Sequence, residues 1–250
     1  MSDDASIALV VGGVDHGESD RIVHLITPHG RFDVFAPGAR RSKRRFAGAF
    51  EPFQTIAVEV HRARAARRGL ATATSARVLR PRLGLRQDLE RIALASFAAE
   101  LSLRVAPEGE ATDAYHRLEE LLDHLEAHPA DLAARRAFEL RLVAALGYAP
   151  SIAACASCGR ASPPFLVDFD AGGLLCAAHA QGSSADRIGP GTQSWMADVL
   201  GAAELRPHGP HEPSDARRAA KTIGPALDRF FAHLLPGPLR SRALLSELGL

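Results

Sequence analysis

Two short pairs of potential metal ligands constrain this sequence more than any other feature. Cys155-x-x-Cys158 is followed, after seventeen residues, by Cys176-x-x-His179. Each pair can direct two ligand atoms at one ion, and two such pairs complete the tetrahedron that structural zinc sites use. Because every cysteine of the chain lies in this spacing, we expect Cys155, Cys158, Cys176 and His179 to bind one structural zinc ion.

The predicted shell is closed by four protein ligands, which leaves no open position for a catalytic water and favours a structural role. Gly159 follows the first pair and Gly172-Gly173 precedes the second, and glycine permits the positive φ angles that such turns need. His179 is the least constrained ligand, because solvent or another side chain can also complete the shell. The alternative interpretation is three buried cysteines beside a surface histidine.

The use of cysteine also bears on the compartment. Three clustered cysteines argue against a disulfide framework and favour a reducing environment. The amino terminus begins Met1-Ser2-Asp3-Asp4, which is acidic where a secretory signal would be basic. The chain contains no run of eighteen apolar residues, so we expect no membrane-spanning helix. The expected location is the cytoplasm.

The first eighty residues show the two-residue alternation of short β-strands. In one such run, Ile22, His24 and Ile26 share one face and Val23 and Leu25 share the other. We expect five strands, near residues 7–11, 21–27, 31–36, 53–60 and 70–79. Closure into a barrel would remove the unpaired edges of an open sheet, so the pattern predicts a small β-barrel.

From Arg86 onward the apolar residues recur every three or four positions, which predicts amphipathic helices. Three helices precede the cysteine module and three follow it, near residues 89–105, 115–125, 132–144, 192–200, 215–235 and 239–248. We expect Ser214 to cap the fifth helix and Gly224-Pro225 to kink or split it. The predicted class is α+β, with one domain at residues 1–82 and a helical domain at residues 83–250 that carries the zinc module at about 150–180.

Positive charge is concentrated between Arg40 and Arg82. This segment has twelve Lys and Arg residues against two Glu residues, a net charge of +10 in a chain whose total is +1. Most of this charge lies in two predicted loops, which suits a phosphate backbone because each neutralised phosphate releases counterions. The residues that we expect to bind nucleic acid are Arg40, Arg41, Lys43, Arg44 and Arg45 in the first loop and Arg62, Arg64, Arg67 and Arg68 in the second.

The alternative to a binding surface is a solvated face in a chain that uses arginine heavily throughout. Phe46 and Phe50 lie beside the first basic loop. These two rings can either stack on unpaired bases or pack in the core of the barrel.

Short motifs occur in a fixed order along the first 180 residues. The barrel segment contains Gly17-Glu18-Ser19-Asp20, His29-Gly30, Gly38-Ala39-Arg40-Arg41 and Glu51-Pro52-Phe53. The helical segment contains residues 136–142, residues 146–150 and Gly172-Gly173-Leu174-Leu175-Cys176. Taken together, their order and spacing over about residues 7 to 180 resemble RecO, a family of bacterial DNA-repair and recombination-mediator proteins.

The resemblance implies an OB-fold barrel followed by an α-helical domain with an inserted zinc-ribbon-like module. It implies binding of single- and double-stranded DNA, annealing of complementary strands and help in loading RecA onto strands coated by single-strand-binding protein. The implied partners are RecR and the C-terminal tail of single-strand-binding protein, with no catalytic residue and a location at the nucleoid. The family's fourth zinc ligand is commonly cysteine, so His179 departs from it, although three cysteines and one histidine also suit zinc.

Two other classes of function fit parts of the sequence. Asp15, His16, Glu18 and Asp20 are close enough in sequence to hold Mg²⁺ for phosphodiester cleavage. A zinc-ribbon transcription regulator would instead read duplex DNA with a helix such as residues 135–141.

A third open point concerns a possible peptide-binding face in the later helices. Leu227, Phe230 and Phe231 lie on one predicted helix face. They either bind a peptide tail or belong to the core.

Overall fold

The computed structural model describes residues 6–61, 70–110, 112–181 and 185–250. The contacts within the chain form two compact units. Unit 1 comprises Met1–Asp88 and Ala95–Ala127, and unit 2 comprises Leu89–Leu94 and His128–Leu250. The expected domain boundary between residues 82 and 83 stays a prediction.

Five strands of unit 1 form a closed barrel in the order β1-β2-β3-β5-β4, with β1 also paired to β4. All neighbours are antiparallel except β3 and β5, which run parallel. The strands are β1 Ser6–His16, β2 Asp20–Thr27, β3 Gly30–Ala36, β4 Thr55–His61 and β5 Ala71–Arg80. A five-stranded barrel of this kind is the OB architecture, so the expected fold class is confirmed.

The inward side chains of the barrel are small and branched, as the alternation predicted. Val23, Leu25 and Val34 are fully buried, together with Ile56 and Val58. Because neighbouring residues of a strand point to opposite faces, the residues between them face outward and remain partly exposed. The barrel therefore has an apolar interior, and its outer face carries exposed apolar side chains such as Ile7 and Val14 besides polar ones.

Six α-helices and a small sheet lie in the described residues after the barrel. The elements are a 3₁₀ helix at Leu83–Gln87, α1 Leu89–Val105, α2 Ala114–Ala127, α3 Leu132–Val143, a π-helical turn at Ala144–Tyr148, β6 Phe165–Asp168, β7 Gly173–Cys176, β8 Asp186–Ile188, α4 Pro190–Gly201, α5 Pro213–Leu234 and α6 Arg242–Glu247. The three short strands form one antiparallel sheet in the order β7-β6-β8. None of the helices in the described ranges is both long and apolar enough to cross a lipid bilayer.

Two expectations about α5 are wrong. The helix begins at Pro213 with Glu212 as its cap, so Ser214 lies inside the first turn; proline favours that first position because it has no N–H to leave unpaired. The helix also continues through Pro225, so the expected split is wrong, whereas a kink at this point stays a prediction. Its buried face packs against α3 and α4, and such packing outweighs the loss of one backbone hydrogen bond.

Gly30, the first residue of β3, has almost no space for a side chain. Its φ angle is +100°, and a Cβ atom there would lie 2.6 Å from the carbonyl oxygens of both Pro107 and Glu110. The next residue, Arg31, donates its backbone N–H to the same Pro107 oxygen at 2.9 Å. Glycine is therefore required where the strand meets the segment between α1 and α2.

We expect Gly30→Ala to lower the free energy of unfolding by about 3 kcal/mol, because it adds a backbone clash to a strained φ angle. Gly17→Ala is the matched control, since Gly17 has a φ angle of +60° but no described atom lies within 4 Å of the point that its Cβ would occupy. That substitution should cost only about 1 kcal/mol. Denaturant unfolding measures both values, and equal effects would contradict the close-approach explanation.

Candidate metal centre and nucleic-acid interface

The four predicted zinc ligands lie together in unit 2. One ligand atom from each residue lies within 4.8 Å of the other three. Cys158 Sγ is 3.9 Å from Cys176 Sγ, and His179 Nδ1 is 3.2 Å from Cys176 Sγ and 3.9 Å from Cys155 Sγ. Sulfur atoms bound to a tetrahedral ion at about 2.3 Å lie about 3.8 Å apart. The cluster can therefore hold one metal ion.

Backbone hydrogen bonds bring the two ligand pairs together. The segment that carries the first pair lies beside β7, where the N–H of Ala156 donates to the carbonyl of Leu174 at 2.7 Å. Ser151 and Gly173 also form a parallel bridge, and the Ser151 carbonyl leaves no room for a side chain on Gly173, whose φ angle is +122°. This accounts for one of the glycines that the sequence places before the second pair.

Each ligand pair lies on a turn of similar construction. The N–H of Gly159 donates to the carbonyl of Cys155 at 2.8 Å, and the N–H of Ala180 donates to that of Cys176 at 3.1 Å. Gly159 has a φ angle of +71°, as expected from the sequence. The two turns direct their side chains at the same point, which is the property that the spacing predicted.

The backbone also favours the thiolate form of one ligand. The pKa of Cys155 lies below its ordinary value mainly because the backbone N–H of Cys176 donates to its sulfur. The N–H groups of Ser157 and Cys158 act in the same direction, against the opposing effect of burial. Since the thiolate is the form that binds metal, this arrangement suits a soft divalent cation.

The five basic residues expected in the first loop lie on the connection between β3 and β4, residues 37–54, which we call the basic loop. All five side chains are exposed: Arg40, Arg41, Lys43, Arg44 and Arg45. The residues expected from the second loop lie outside the described part of the chain: Arg62, Arg64, Arg67 and Arg68. The described barrel thus presents one cluster of cations on one connection.

Two aromatic side chains anchor the basic loop. Phe46 and Phe50 are 1% and 4% exposed and belong to the barrel core, with their ring centroids 5.0 Å apart. The carbonyl of Arg45 accepts the N–H of Ala76 on β5 at 2.9 Å. Of the two roles considered for these rings, core packing is therefore the one that they have. Large apolar residues four positions apart in a basic loop could have indicated such an anchor.

Two of the exposed arginines make loose ion pairs with the hairpin that β1 and β2 form. Arg40 Nε is 3.4 Å from Asp15 Oδ2, and Arg41 is 3.6 Å from Glu18. Pairs between exposed side chains contribute about 0–1 kcal/mol. They are weak enough for a phosphate group to displace.

The other three cations of the basic loop have different surroundings. Arg45 donates to the carbonyl of Pro37 at 2.8 Å, and its guanidinium lies 5.0 Å from the Phe46 ring centroid. Lys43 and Arg44 form no ion pair within the described ranges. These last two charges are available to an anionic partner.

Two arginines counted in the basic segment serve the internal structure of unit 1 instead. Arg82 is 4% exposed, and its guanidinium donates to the carbonyl of Phe53, the hydroxyl of Thr55 and the carboxylate of Asp123 on α2. Arg80 pairs with the same carboxylate at 2.7 Å. Part of the +10 charge is therefore neutralised within the fold.

The acidic residues proposed for Mg²⁺ are occupied by other contacts. Asp20 accepts hydrogen bonds from the backbone N–H of Gly38, at 2.8 Å, and from the hydroxyl of Ser19. The Gly38 N–H is the main reason that the pKa of Asp20 is lowered. Within the described ranges, the cysteine and histidine cluster is the one group of potential ligands that converges on a point.

Helix α3 does not present a base-reading face. Arg136 is buried and contacts Glu139 at 2.6 Å and Asp228 at 2.7 Å. Although desolvation opposes it, these two carboxylates raise the pKa of Arg136 above its ordinary value. Arg141 donates to the carbonyl groups of Val199 and Ala202 near the end of α4. The arginines of this helix therefore brace unit 2.

The helix face considered for a peptide tail is also internal. Leu227 is fully buried, and Phe230 and Phe231 are 4% and 5% exposed. These side chains belong to the core of unit 2.

Replacing a ligand of the cluster should release the metal. We expect Cys158→Ser to lose most of the bound zinc and to lower the melting temperature, because metal binding contributes to the folding free energy. Ser157→Ala is the control, since Ser157 is an exposed neighbour in the same turn whose side chain is not a ligand. Elemental analysis and thermal unfolding measure the two effects. Full zinc content in the Cys158 variant would contradict the assignment of this ligand.

Comparison with known families places most of the chain in one group. The family model described as "Recombination protein O N terminal" matches residues 1–82, and the one described as "Recombination protein O C terminal" matches residues 86–243. The two matches together cover the barrel and most of the helical region.

Similar proteins agree with this result over nearly their whole length. A DNA repair protein RecO of Anaeromyxobacter sp. strain K is 38% identical, with 96% of this chain and 95% of that protein covered. The RecO of Pelobacter propionicus is 38% identical, with 96% of this chain and 95% of that protein covered. The RecO of Myxococcus xanthus is 34% identical, with 97% of each chain covered. The chain belongs to the RecO family.

Proposed function

We propose that this protein is a DNA repair and recombination mediator that binds single- and double-stranded DNA and anneals complementary strands. In this proposal it also assists the loading of RecA together with RecR. Membership of a family whose members are named DNA repair proteins supports a role in DNA repair. The observation that carries the proposal is the basic loop, which presents five exposed cations from a barrel of OB architecture.

The construction of the basic loop suits a phosphate backbone. Phe46 and Phe50 hold the loop in the barrel core, so little conformational entropy is lost when DNA binds. Lys43 and Arg44 have no carboxylate partner among the described residues, and the ion pairs of Arg40 and Arg41 with carboxylates are loose. Guanidinium groups bind phosphate oxygens without reading the base edges, so two bound strands keep their bases free to pair.

Annealing and mediation require no general acid, base or nucleophile, so we propose a protein without catalytic residues. The carboxylates nearest the basic loop agree with this, because Asp15, Glu18 and Asp20 contact arginines or the backbone. We propose that the bound metal is zinc, since three thiolates and one imidazole are one of its usual structural shells. It would brace unit 2.

The remaining partners are proposed from the family alone. They are RecR, the C-terminal tail of single-strand-binding protein and, indirectly, RecA. A protein with these partners would act in the cytoplasm at the nucleoid.

Removing the exposed arginines should weaken DNA binding independently of sequence. We expect replacement of Arg40, Arg41, Arg44 and Arg45 by Ala to reduce the slope of log affinity against log salt by about 3 for single strands, since each phosphate contact contributes about 0.7. Fluorescence anisotropy over a range of salt concentrations measures this slope.

The matched control removes four exposed arginines of unit 2 instead: Arg187, Arg206, Arg217 and Arg218. The net charge changes by the same amount, and the salt slope should stay that of the wild type. If both variants lose affinity equally, total charge rather than the basic loop determines binding, and the proposed interface is wrong.

A further inference from the structure

A cavity of about 400 Å³ lies beside the basic loop in unit 1. Its polar lining comes from the β1–β2 hairpin and from the basic loop, and Phe46 and Phe50 contribute apolar surface. The charged and hydroxyl groups that line it are Asp15, Arg21, Arg40, Ser42 and Glu51. Its volume lies in the range of small-molecule sites, about 300–1,000 Å³.

Arg21 is the unusual member of this lining. Its Nε atom is buried and has no hydrogen-bond partner in the part of the chain that the structure describes. Asp15 lies directly opposite Arg21 in the register of β1 and β2, yet the ion pair of Asp15 is made with Arg40. A buried donor without an acceptor is costly, so the guanidinium of Arg21 would gain from a ligand that offers hydrogen-bond acceptors.

The charge balance of the cavity indicates what kind of ligand this is. Two arginines, Arg21 and Arg40, and two acidic residues, Asp15 and Glu51, line it together. A phosphate would meet repulsion from the carboxylates. A neutral ring with acceptors on one edge and donors on another satisfies both kinds of group.

Guanine has this pattern. Its O6 and N7 atoms accept hydrogen bonds, and arginine is the side chain that most often binds them. Its N1–H and amino groups donate, which suits a carboxylate acceptor. Adenine lacks the O6 acceptor and thymine lacks the N7 atom, so neither matches the guanidinium as well.

We propose that this cavity binds one unstacked guanine of a single DNA strand. Arg21 donates to O6 and N7, and the carboxylates of Asp15 and Glu51 accept from N1–H and the amino group. This one guanine cannot pair while it is held in the cavity, whereas the bases along the basic loop stay free to pair. This inference rests on the proposed function, because the strand is delivered by the basic loop. Arg40 and Ser42 belong to both the loop and the cavity lining, so a base can leave the stack there while its phosphate stays bound.

The experiment compares three fluorescent single strands of equal length. They are oligothymidine, a d(TTG) repeat, and the same repeat with 7-deazaguanine, which lacks the N7 acceptor. For the wild-type protein we expect the d(TTG) repeat to bind about tenfold more tightly than oligothymidine, and 7-deazaguanine to lose most of this gain.

Two variants, each with one arginine replaced by glutamine, show whether the guanine preference depends on the cavity. Arg21→Gln should bind all three strands with similar affinity, because it removes the guanidinium from the cavity. Arg44→Gln changes an exposed arginine that does not line the cavity. Arg44→Gln should weaken binding to all three strands and leave the ratios of the three affinities unchanged. Thermal unfolding checks that both variants fold, and the analogue comparison in the wild type needs no variant.

The outcomes separate this inference from the proposed function. Single-strand binding with equal affinity for all three strands would overturn the guanine site and leave the proposed function in place. A guanine preference that survives in Arg21→Gln would also overturn it. Failure of the wild type to bind any of the strands would overturn both.

Discussion

The insertion of Phe46 and Phe50 into the barrel core is the contact on which the proposed DNA surface depends. A loop with five cations in six positions would repel itself and sample many conformations if it were held only at its ends. Two buried rings and the hydrogen bond between Arg45 and Ala76 hold it against β5. The burial of apolar surface thereby offsets the electrostatic cost of concentrating positive charge, and the cations are already arranged when DNA arrives.

The cluster of three cysteines and one histidine is more conspicuous in the sequence than the basic loop, but it suits a structural role. Its two turns are joined through β7, and its four potential ligands can together complete the shell of one metal ion. A complete shell leaves no open coordination position for catalysis. It can, however, stabilise a segment that has only three short strands. The arginines of α3 also have a structural role, since Arg136 and Arg141 make contacts inside unit 2. In the basic loop, by contrast, the ion pairs of Arg40 and Arg41 are loose and exposed.

Much of the fold and of the metal cluster could be predicted from the sequence, because both depend on short-range patterns. Alternation identified the five strands, and the spacing of Cys155, Cys158, Cys176 and His179 brought the ligands together. What could not be predicted depends on contacts between distant residues. Arg82 is neutralised by Asp123, which is far along the chain. Only the folded hairpin and loop reveal that Arg21 Nε has no acceptor among the described residues. The continuity of α5 through Pro225 likewise depends on packing.

The central claim is that the barrel, through its basic loop, brings complementary strands together. Its most direct test is the rate at which complementary strands coated with single-strand-binding protein anneal, with and without RecR. The wild-type protein should accelerate annealing, whereas a protein in which Arg40, Arg41, Arg44 and Arg45 are replaced by Ala should not, provided that both contain zinc and are equally stable. Annealing by that variant at the wild-type rate would contradict the account, because the strands would then meet on another surface.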